Sequence, residues 1–294
     1  MYVPFRLPGL SREELERLFS GSFQETVAGC LNLLLGTNVT AWEVSCAIGR
    51  HPVRFMQLTR KTLVAELWHN PDGDFTWLVS ALKALISVNE AACDEGNWPD
   101  VAIRLAVLWG IVSQLRAAGV LAGDGKVDIS LTAGDFSGVM GGWYAKQLGL
   151  PIDTIICCCK ENSALWELVH QGQMRTDRLA QKTDARIPVG LERLIYEAGG
   201  TRETERYLEA SRRGGLCCPG EACLETIRGC IHVSVVGQRR AEETIPQIVG
   251  AHGYSLSSLG ALCFAGLQDY RVISGENRVS LILSENSPHG IGSV

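Results

Sequence analysis

The stretch with the clearest potential for chemistry is a glycine-containing loop at residues 134–138, with the sequence Gly-Asp-Phe-Ser-Gly. An apolar, β-prone run precedes it at residues 127–131, and residues 139–148 have the spacing of a helix. Glycines at a strand-to-helix turn allow backbone N–H groups to point at one spot, and the helix N-terminus adds partial positive charge. The pattern therefore indicates a loop that holds a small anion such as a phosphate or a carboxylate.

The loop lies in a chain that alternates between strand and helix patterns. Strands are predicted at residues 51–56, 62–68, 127–131, 152–159, 231–236 and 278–284, and helices at 75–87, 97–118, 139–148 and 239–251. Gly149 and Pro151 end the helix that follows the loop. This alternation predicts the α/β class, in which helices cover a mostly parallel sheet.

The N-terminal segment has a different pattern, because it consists mostly of short helices. Ser11 and Thr40 each begin a capping box, in which a glutamate follows the hydroxyl residue by three positions. The two boxes flank an amphipathic stretch at residues 22–35. We therefore expect a helical N-terminal unit, and we divide the chain into residues 1–88, a helical and β unit, and residues 89–294, an α/β domain that contains the loop.

The composition limits the classes of partner and compartment. A chain of 294 residues that is 46% hydrophobic can bury a large core, and its formal charge of −5 gives no general attraction for nucleic acid or an anionic membrane. Its apolar run at residues 102–112 is interrupted by Arg104 and is too short to span a bilayer. The N-terminus lacks the apolar core of a signal peptide, so we expect a cytoplasmic protein without a membrane segment.

The cysteine content favours buried, reduced thiols. The count of 11 is odd, and three consecutive cysteines lie within the apolar run at residues 152–159. A second group could supply soft metal ligands: Cys217, Cys218, Cys223 and Cys230, with His232. That group lacks paired CxxC spacing, so structural packing is the favoured interpretation and no metal is expected.

The order of residues in and after the loop resembles the phosphate loop of threonine synthases, which are pyridoxal-phosphate enzymes of fold type II. The matching positions are Gly134, Phe136, Gly142, Tyr144, Ala145, Lys146, Gly149, Leu150 and Pro151. Asp135 stands where the family has Asn, and Ser137 where it has a second Gly. The resemblance implies a three-layer α/β fold like the larger domain of these enzymes, preceded by the helical unit.

A second match fixes the position at which the family attaches its cofactor. Residues 66–75 resemble the segment that leads to the Schiff-base lysine, through Glu66, Leu67, His69, Pro71 and Phe75. In this register the lysine is replaced by Thr76, whose hydroxyl cannot form an iminium or act as the proton shuttle. Lys83 lies two helical turns further on, about 10 Å along the axis, and is a possible substitute.

Two further departures concern the rest of the family site. Between the lysine position and the phosphate loop the family inserts a smaller domain that covers the cofactor, but here only residues 77–131 intervene, so the covering domain is expected to be missing. Val189 and Gly190 replace a Ser-Ser-Asn trio, and Glu285 replaces the Thr expected near the pyridine nitrogen. A carboxylate there could pair with a protonated pyridinium, although a surface charge is the favoured interpretation.

The resemblance also assigns the anion contacts. They are Gly134, Asp135, Phe136, Ser137 and Gly138, with Glu285 near the ring. The Asp135 carboxylate would repel a phosphate by about 1–4 kcal/mol at about 4 Å. Two interpretations therefore stay open: a loop that is retained for its geometry, with Asp135 capping the helix, and a loop that binds a small anion.

Three hypotheses for function follow. The leading one is a threonine synthase-like homologue that has lost pyridoxal-phosphate catalysis, needs no cofactor, and serves as a binding or scaffold protein, as a homo-oligomer or with a partner protein. An uncovered cleft would leave apolar surface that dimerisation buries. The alternatives retain the cofactor in a lyase acting on O-phosphohomoserine or a related amino acid. Either Lys83 replaces the lost lysine, or a second polypeptide supplies the lysine and the covering domain.

Overall fold

A computed structural model describes residues 7, 9–69, 74–86, 97–121, 123, 125–134, 136–161, 163–176 and 187–288. In chain order the helices are α1 (Arg12–Ser20), α2 (Phe23–Leu35), α3 (Ala41–Ile48), α4 (Phe75–Leu85), α5 (Trp98–Ala117), α6 (Phe136–Gln147), α7 (Ala164–Trp166, continued by a π-helical turn, Glu167–Gln171), α8 (Leu191–Arg213), α9 (Glu221–Arg228), α10 (Gln238–His252) and α11 (Ser258–Ser274). The strands are β1 (Arg54–Thr59), β2 (Thr62–Glu66), β3 (Val127–Thr132), β4 (Ile152–Cys159), β5 (Met174–Arg175), β6 (Leu216–Cys217), β7 (Ile231–Val235) and β8 (Val279–Ser284).

The main sheet has six strands in the order β1-β2-β8-β3-β4-β7. Only β1 runs antiparallel to its neighbour, and the other five strands are parallel to one another. Because parallel strands end at the same edge, the sheet has a carboxyl edge, where Glu66, Thr132, Cys159 and Ser284 end their strands, and an opposite amino edge.

Helices cover both faces of this sheet. Ile155 and Cys157 of β4 belong to the larger core, which includes residues of α2, α5 and α6, whereas Ile156 and Cys158 belong to a smaller core with α10 and α11. Successive residues of a strand point to opposite faces, so this alternation places β4 between two helical layers. The expected three-layer α/β fold is confirmed.

Helix α5 is the central helix of the larger layer. Its residues 101–112 are buried except for Arg104, which is half-buried. The neighbouring helices approach it closely at two glycines. A Cβ at Gly110 would lie 2.8 Å from the Phe23 ring, and a Cβ at Gly141 of α6 would lie 3.1 Å from the backbone nitrogen of Leu105. The first distance is shorter than packed carbon atoms allow and the second is unusually tight, so a side chain at either glycine would force its neighbour to shift.

The N-terminal helices begin as the sequence predicts. The side chains of Ser11 and Thr40 each accept a hydrogen bond from the backbone N–H three residues later, and the glutamate at that position accepts one in return. A third capping box, Ser22 with Glu25, begins α2. Strands β1 and β2 lie in the same sheet as β8, and the division of the chain at residue 88 stays a prediction.

The connections around α5 leave no length for an inserted domain. Residues 86–97, which are 12 residues, join α4 to α5, and residues 118–126, which are 9, join α5 to β3. No domain is therefore inserted between α4 and β3.

One prediction of local structure was wrong, and one helix was missed. The loop at residues 134–138 is shorter than expected, because α6 begins at Phe136, whose ring is 1% exposed in the larger core and draws the start of the helix forward. Helix α11 was not predicted, although Ser257 caps its N-terminus and Gly275 ends it with a φ of 69°. This helix is buried along most of its length and contacts β3, β4, β7 and β8.

The structure adds one observation on membranes. Across the part of the chain that it describes, no helix combines the length and the apolar character needed to cross a bilayer.

Candidate functional site

A cavity of about 770 Å³ opens at the carboxyl edge of the sheet. Helices α4 and α5 form one wall, and the ends of β3 and β4 form another. The described lining residues include Thr76, Val79, Ser80, Lys83, Asp100, Arg104, Thr132, Ala133, Gly134, Cys158, Cys159, Lys160, Ser163, Pro188, Leu262 and Glu285. Clefts at this edge are the usual ligand sites of open α/β sheets.

Thr76 is held in the cavity by the first turn of α4. The Asp74 side chain caps this helix by accepting a hydrogen bond from the backbone N–H of Trp77 at 3.1 Å. The backbone N–H of Phe75 donates to the carbonyl of Glu285 at 2.9 Å, which ties the start of α4 to the segment after β8. The Thr76 side chain is exposed in the cavity. A hydroxyl therefore stands where the family resemblance places the Schiff-base lysine.

Lys83 lines the same cavity but belongs to a chain of ion pairs. Its Nζ lies 3.1 Å from Oδ1 of Asp100, and Oδ2 of the same carboxylate lies 3.7 Å from Nε of Arg104. Asp100 is only 2% exposed. Buried ions of this kind depend on one another, because removing one leaves its partner without compensation in a poorly solvated place.

Glu285 completes the chain, and its expected role as a surface charge was wrong. Its Oε1 lies 3.7 Å from Nη1 of Arg104, and its side chain is 20% exposed. The guanidinium of Arg104 also lies over the Phe75 ring, 4.9 Å from the centroid. Glu285 is drawn into the cavity because a buried arginine needs an opposite charge. We call Lys83, Asp100, Arg104 and Glu285 the ion-pair chain.

The residues of the predicted anion loop are only partly brought to the cavity. Gly134 lines it, whereas the Phe136 side chain packs in the larger core and Ser137 is buried at 2% exposure. Gly138 is half-buried in the first turn of α6. Asp135 lies outside the described residues, so its two proposed roles stay predictions.

Lys160 is a cavity residue that sequence reasoning missed. It follows Cys159 at the carboxyl end of β4, and its side chain is exposed. Burial raises the pKa of Cys159 to about 12, so this thiol is neutral. The position of Lys160 in the sequence could have indicated its role. A polar residue directly after a buried parallel strand lies at the edge of the sheet where ligands bind.

The residues present do not fit pyridoxal phosphate bound in the way that the resemblance implies. The attachment position holds a hydroxyl, Lys83 is ion-paired with Asp100, and Glu285 is paired with Arg104. Before it could attack an aldehyde, Lys83 would have to lose a proton and leave this ion pair. We therefore derive no reaction step through the cofactor.

Two other candidate groups lie apart from the described cavity lining. His69 places its Nε2 2.7 Å from Oε2 of Glu66, whose Oε1 accepts a hydrogen bond of 2.6 Å from the hydroxyl of Tyr254.

In the cysteine group, the described residues hold no cluster of His, Cys, Asp and Glu suited to a metal. All ten described cysteines are free, and Cys93 lies outside the described residues.

Comparisons of sequence find threonine synthases and related proteins. No protein-family model matches the chain. Threonine synthase from Corynebacterium glutamicum is 28% identical over 171 residues, which cover 52% of this chain and 35% of that protein. Human threonine synthase-like 1 is 27% identical over 135 residues, which cover 42% of this chain and 17% of that protein. The matches thus span about a third or less of these relatives' lengths.

Comparisons of structure find the same group of proteins. The pyridoxal-phosphate-bound threonine synthase from Brucella melitensis superposes with a TM-score of 0.77 at 17% identity, and the yeast threonine synthase with a TM-score of 0.78 at 14% identity. Both comparisons cover 98% of this chain and 82% of the other. The fold is therefore that of the fold type II pyridoxal-phosphate enzymes. The sequence matches are to threonine synthases and to threonine synthase-like proteins within that class.

Proposed function

We propose that this threonine synthase-like chain has lost pyridoxal-phosphate catalysis and binds a small ligand in the carboxyl-edge cavity. The observation that carries the proposal is the Thr76 hydroxyl, exposed in the cavity at the position of the family's lysine. Covalent attachment of an aldehyde as an iminium requires a primary amine, which threonine does not have.

The ion-pair chain supports the same proposal. Lys83 is the amine nearest in sequence to the attachment position, and Asp100 holds it at 3.1 Å. Asp100 also lies near Arg104, so freeing Lys83 would disturb two ion pairs of a buried carboxylate. The local structure thus favours a stabilising role for Lys83 in the wall of the cavity over a role as the amine that attacks an aldehyde.

The missing covering domain is a further support. Exclusion of water strengthens electrostatic interactions in an active site and protects reactive intermediates. With 12 residues between α4 and α5, this chain supplies no second domain to close the cavity. An open cavity suits reversible binding, and we propose that a second copy or a partner protein covers it.

The ligand proposed for this cavity is a small anion. Gly134 lines the cavity at the end of β3, and Ser137 and Gly138 follow in the first turn of α6, as in the phosphate loop that the sequence resembles. We propose these three residues as the loop side of the site. Phe136 contributes only its backbone, because its ring is buried in the core.

The test is reduction of the full chain with borohydride after incubation with pyridoxal phosphate, followed by mass spectrometry of its peptides. We expect no stoichiometric adduct on any single lysine. The Thr76→Lys variant is the matched control, because it restores an amine at an exposed cavity position, and we expect it to acquire the adduct. Stoichiometric modification of one lysine in the wild-type chain would overturn the proposal.

A second candidate function is supported by one observation, the presence of Lys83 and Thr76 in the same cavity. In that case the chain would be a lyase that uses pyridoxal phosphate with Lys83, on O-phosphohomoserine or a related amino acid. It predicts a visible absorbance band of bound cofactor that Lys83→Ala abolishes and Lys61→Ala leaves unchanged. A third arrangement, in which another polypeptide supplies the lysine and the cover, predicts co-purification with such a partner.

A further inference from the structure

The charges that line the cavity do not balance. Of the described lining residues, Lys83, Arg104 and Lys160 are cations, and Asp100 and Glu285 are anions. The ion-pair chain uses two of these cations and both anions, at distances of 3.1–3.7 Å. One positive charge is left over, and it belongs to Lys160.

Lys160 differs from the other two cations in its surroundings. Within the described ranges, no carboxylate lies within 4.0 Å of its amine and no hydrogen bond to it is formed. It extends from the carboxyl end of β4, whereas Lys83 and Arg104 lie on helices α4 and α5. A cation in a cavity with low-dielectric walls raises the local concentration of anions.

The cavity-lining groups beside Lys160 are uncharged and can donate hydrogen bonds, whereas the next residue in the chain, Glu161, carries an exposed carboxylate. Ser163 lies three residues further on and lines the cavity, where its hydroxyl oxygen accepts a hydrogen bond from the backbone N–H of Trp166 and its side chain is also hydrogen-bonded with Cys159. Thr132 ends the neighbouring strand, where it pairs with Cys158. Because Cys159 stays a neutral thiol, it adds no repulsion toward an anion.

We propose that Lys160 anchors a small organic anion, a carboxylate or a phosphate monoester, at the carboxyl end of β4, with the hydroxyls of Thr132 and Ser163 as further donors. The inference rests on the proposed ligand-binding role of the cavity and names the side chain that anchors its anion. Lys160 itself directly follows β4, the strand next to the one that leads into the glycine loop.

The test is calorimetric titration of the full chain with acetate in one arm and inorganic phosphate in the other, which separates the two kinds of anion. We expect saturable binding in at least one arm. The Lys160→Gln variant should weaken that binding by about ten- to a hundredfold, because a charge-assisted hydrogen bond is lost. The Lys160→Arg variant, which keeps the charge, should stay within about threefold of the wild type.

Lys126→Gln is the matched control, because it removes the same charge from a lysine before β3, at the amino edge of the sheet. It should leave anion binding unchanged. The proposal is overturned if neither anion binds saturably, if Lys160→Gln binds as well as the wild type, or if Lys126→Gln weakens binding equally. A lysine adduct in the borohydride experiment would remove the proposed loss of catalysis without changing these three outcomes.

Discussion

The two edges of the central sheet both carry buried charges, but they use them differently. At the amino edge, Arg271 donates to the side chains of Thr62 and Ser280 and to two backbone carbonyls, those of Lys61 and Arg278, at 2.9–3.3 Å. These hydrogen bonds join the ends of β2 and β8. The Arg271 guanidinium therefore stabilises the strand ends at this edge.

At the carboxyl edge the charges surround a cavity of about 770 Å³. The ion-pair chain fixes one wall, and on the other wall lies Lys160, which forms no ion pair with any of the residues that the structure describes. The comparison teaches that one sheet can use its charges in two ways, to join strand ends at one edge and to line a cavity at the other. The predictions below test this difference between the edges.

The largest change in the free energy of unfolding is expected for Asp100→Ala at the carboxyl edge. It leaves Lys83 and Arg104 without the carboxylate between them, and breaking a buried pair typically costs about 3–5 kcal/mol. The measurement is the free energy of unfolding in urea. Glu16→Ala, which removes an exposed ion pair with Arg12, is the control and should change it by about 0.5 kcal/mol or less. If Asp100→Ala lowered the free energy of unfolding by less than about 1 kcal/mol, the ion-pair chain would not be stabilising the fold.

Asp128→Asn at the amino edge is expected to raise the free energy of unfolding, by less than Asp100→Ala lowers it. Burial, with the nearby Asp153 carboxylate, raises the pKa of Asp128 to about 6, although Arg271 and Arg278 oppose the shift. The native state therefore binds the proton more tightly than the unfolded chain does. The stability that this proton provides is fully present below about pH 4 and is lost as the pH rises through about 6.

Asparagine stays neutral at every pH, so the variant does not lose stability as the pH rises. Its amide oxygen can still accept the hydrogen bond from the backbone N–H of Thr154. We expect Asp128→Asn to match the wild type near pH 4 and to exceed its free energy of unfolding by roughly 2–3 kcal/mol at pH 7.5. Urea titrations at the two pH values measure the difference. A variant that is less stable than the wild type at pH 7.5 would mean that the Asp128 charge is compensated by the two arginines.

The smallest effect is expected for Lys126→Gln. Its Nζ lies 3.1 Å from Oδ1 of Asp153, but the lysine side chain is 57% exposed, and Arg278 also pairs with this carboxylate. An exposed pair of this kind contributes about 0–1 kcal/mol. Thermal unfolding at two salt concentrations checks this. A loss well above 1 kcal/mol would make Lys126 unsuitable as the control for Lys160.

Local rules predicted much of the fold. The capping boxes at Ser11 and Thr40 begin helices, and the strand at residues 152–159 has the bounds that its apolar run indicates. Helix α11 was missed because it is buried along most of its length and has no polar face, so its sequence lacks the amphipathic period by which helices are recognised. Only its end signals, Ser257 and Gly275, mark it.

The site was predicted in part, through the family resemblance. That resemblance related Thr76, Gly134 and Glu285 to one site, helical spacing added Lys83, and all four line the cavity. It gave no partner for Lys83 or Glu285, because pairing between separate helices and loops appears only in tertiary structure. One sequence signal was overlooked. Arg104 interrupts an apolar helix, and a charge in a buried helix requires partners.

The most direct test of the central claim is the intact mass of the chain, purified from cells supplied with pyridoxine and reduced with borohydride before any denaturation. The account predicts the mass of the unmodified sequence for the wild type and a gain of one pyridoxyl phosphate group for Thr76→Lys. A wild-type chain that carries that group on a lysine would contradict it.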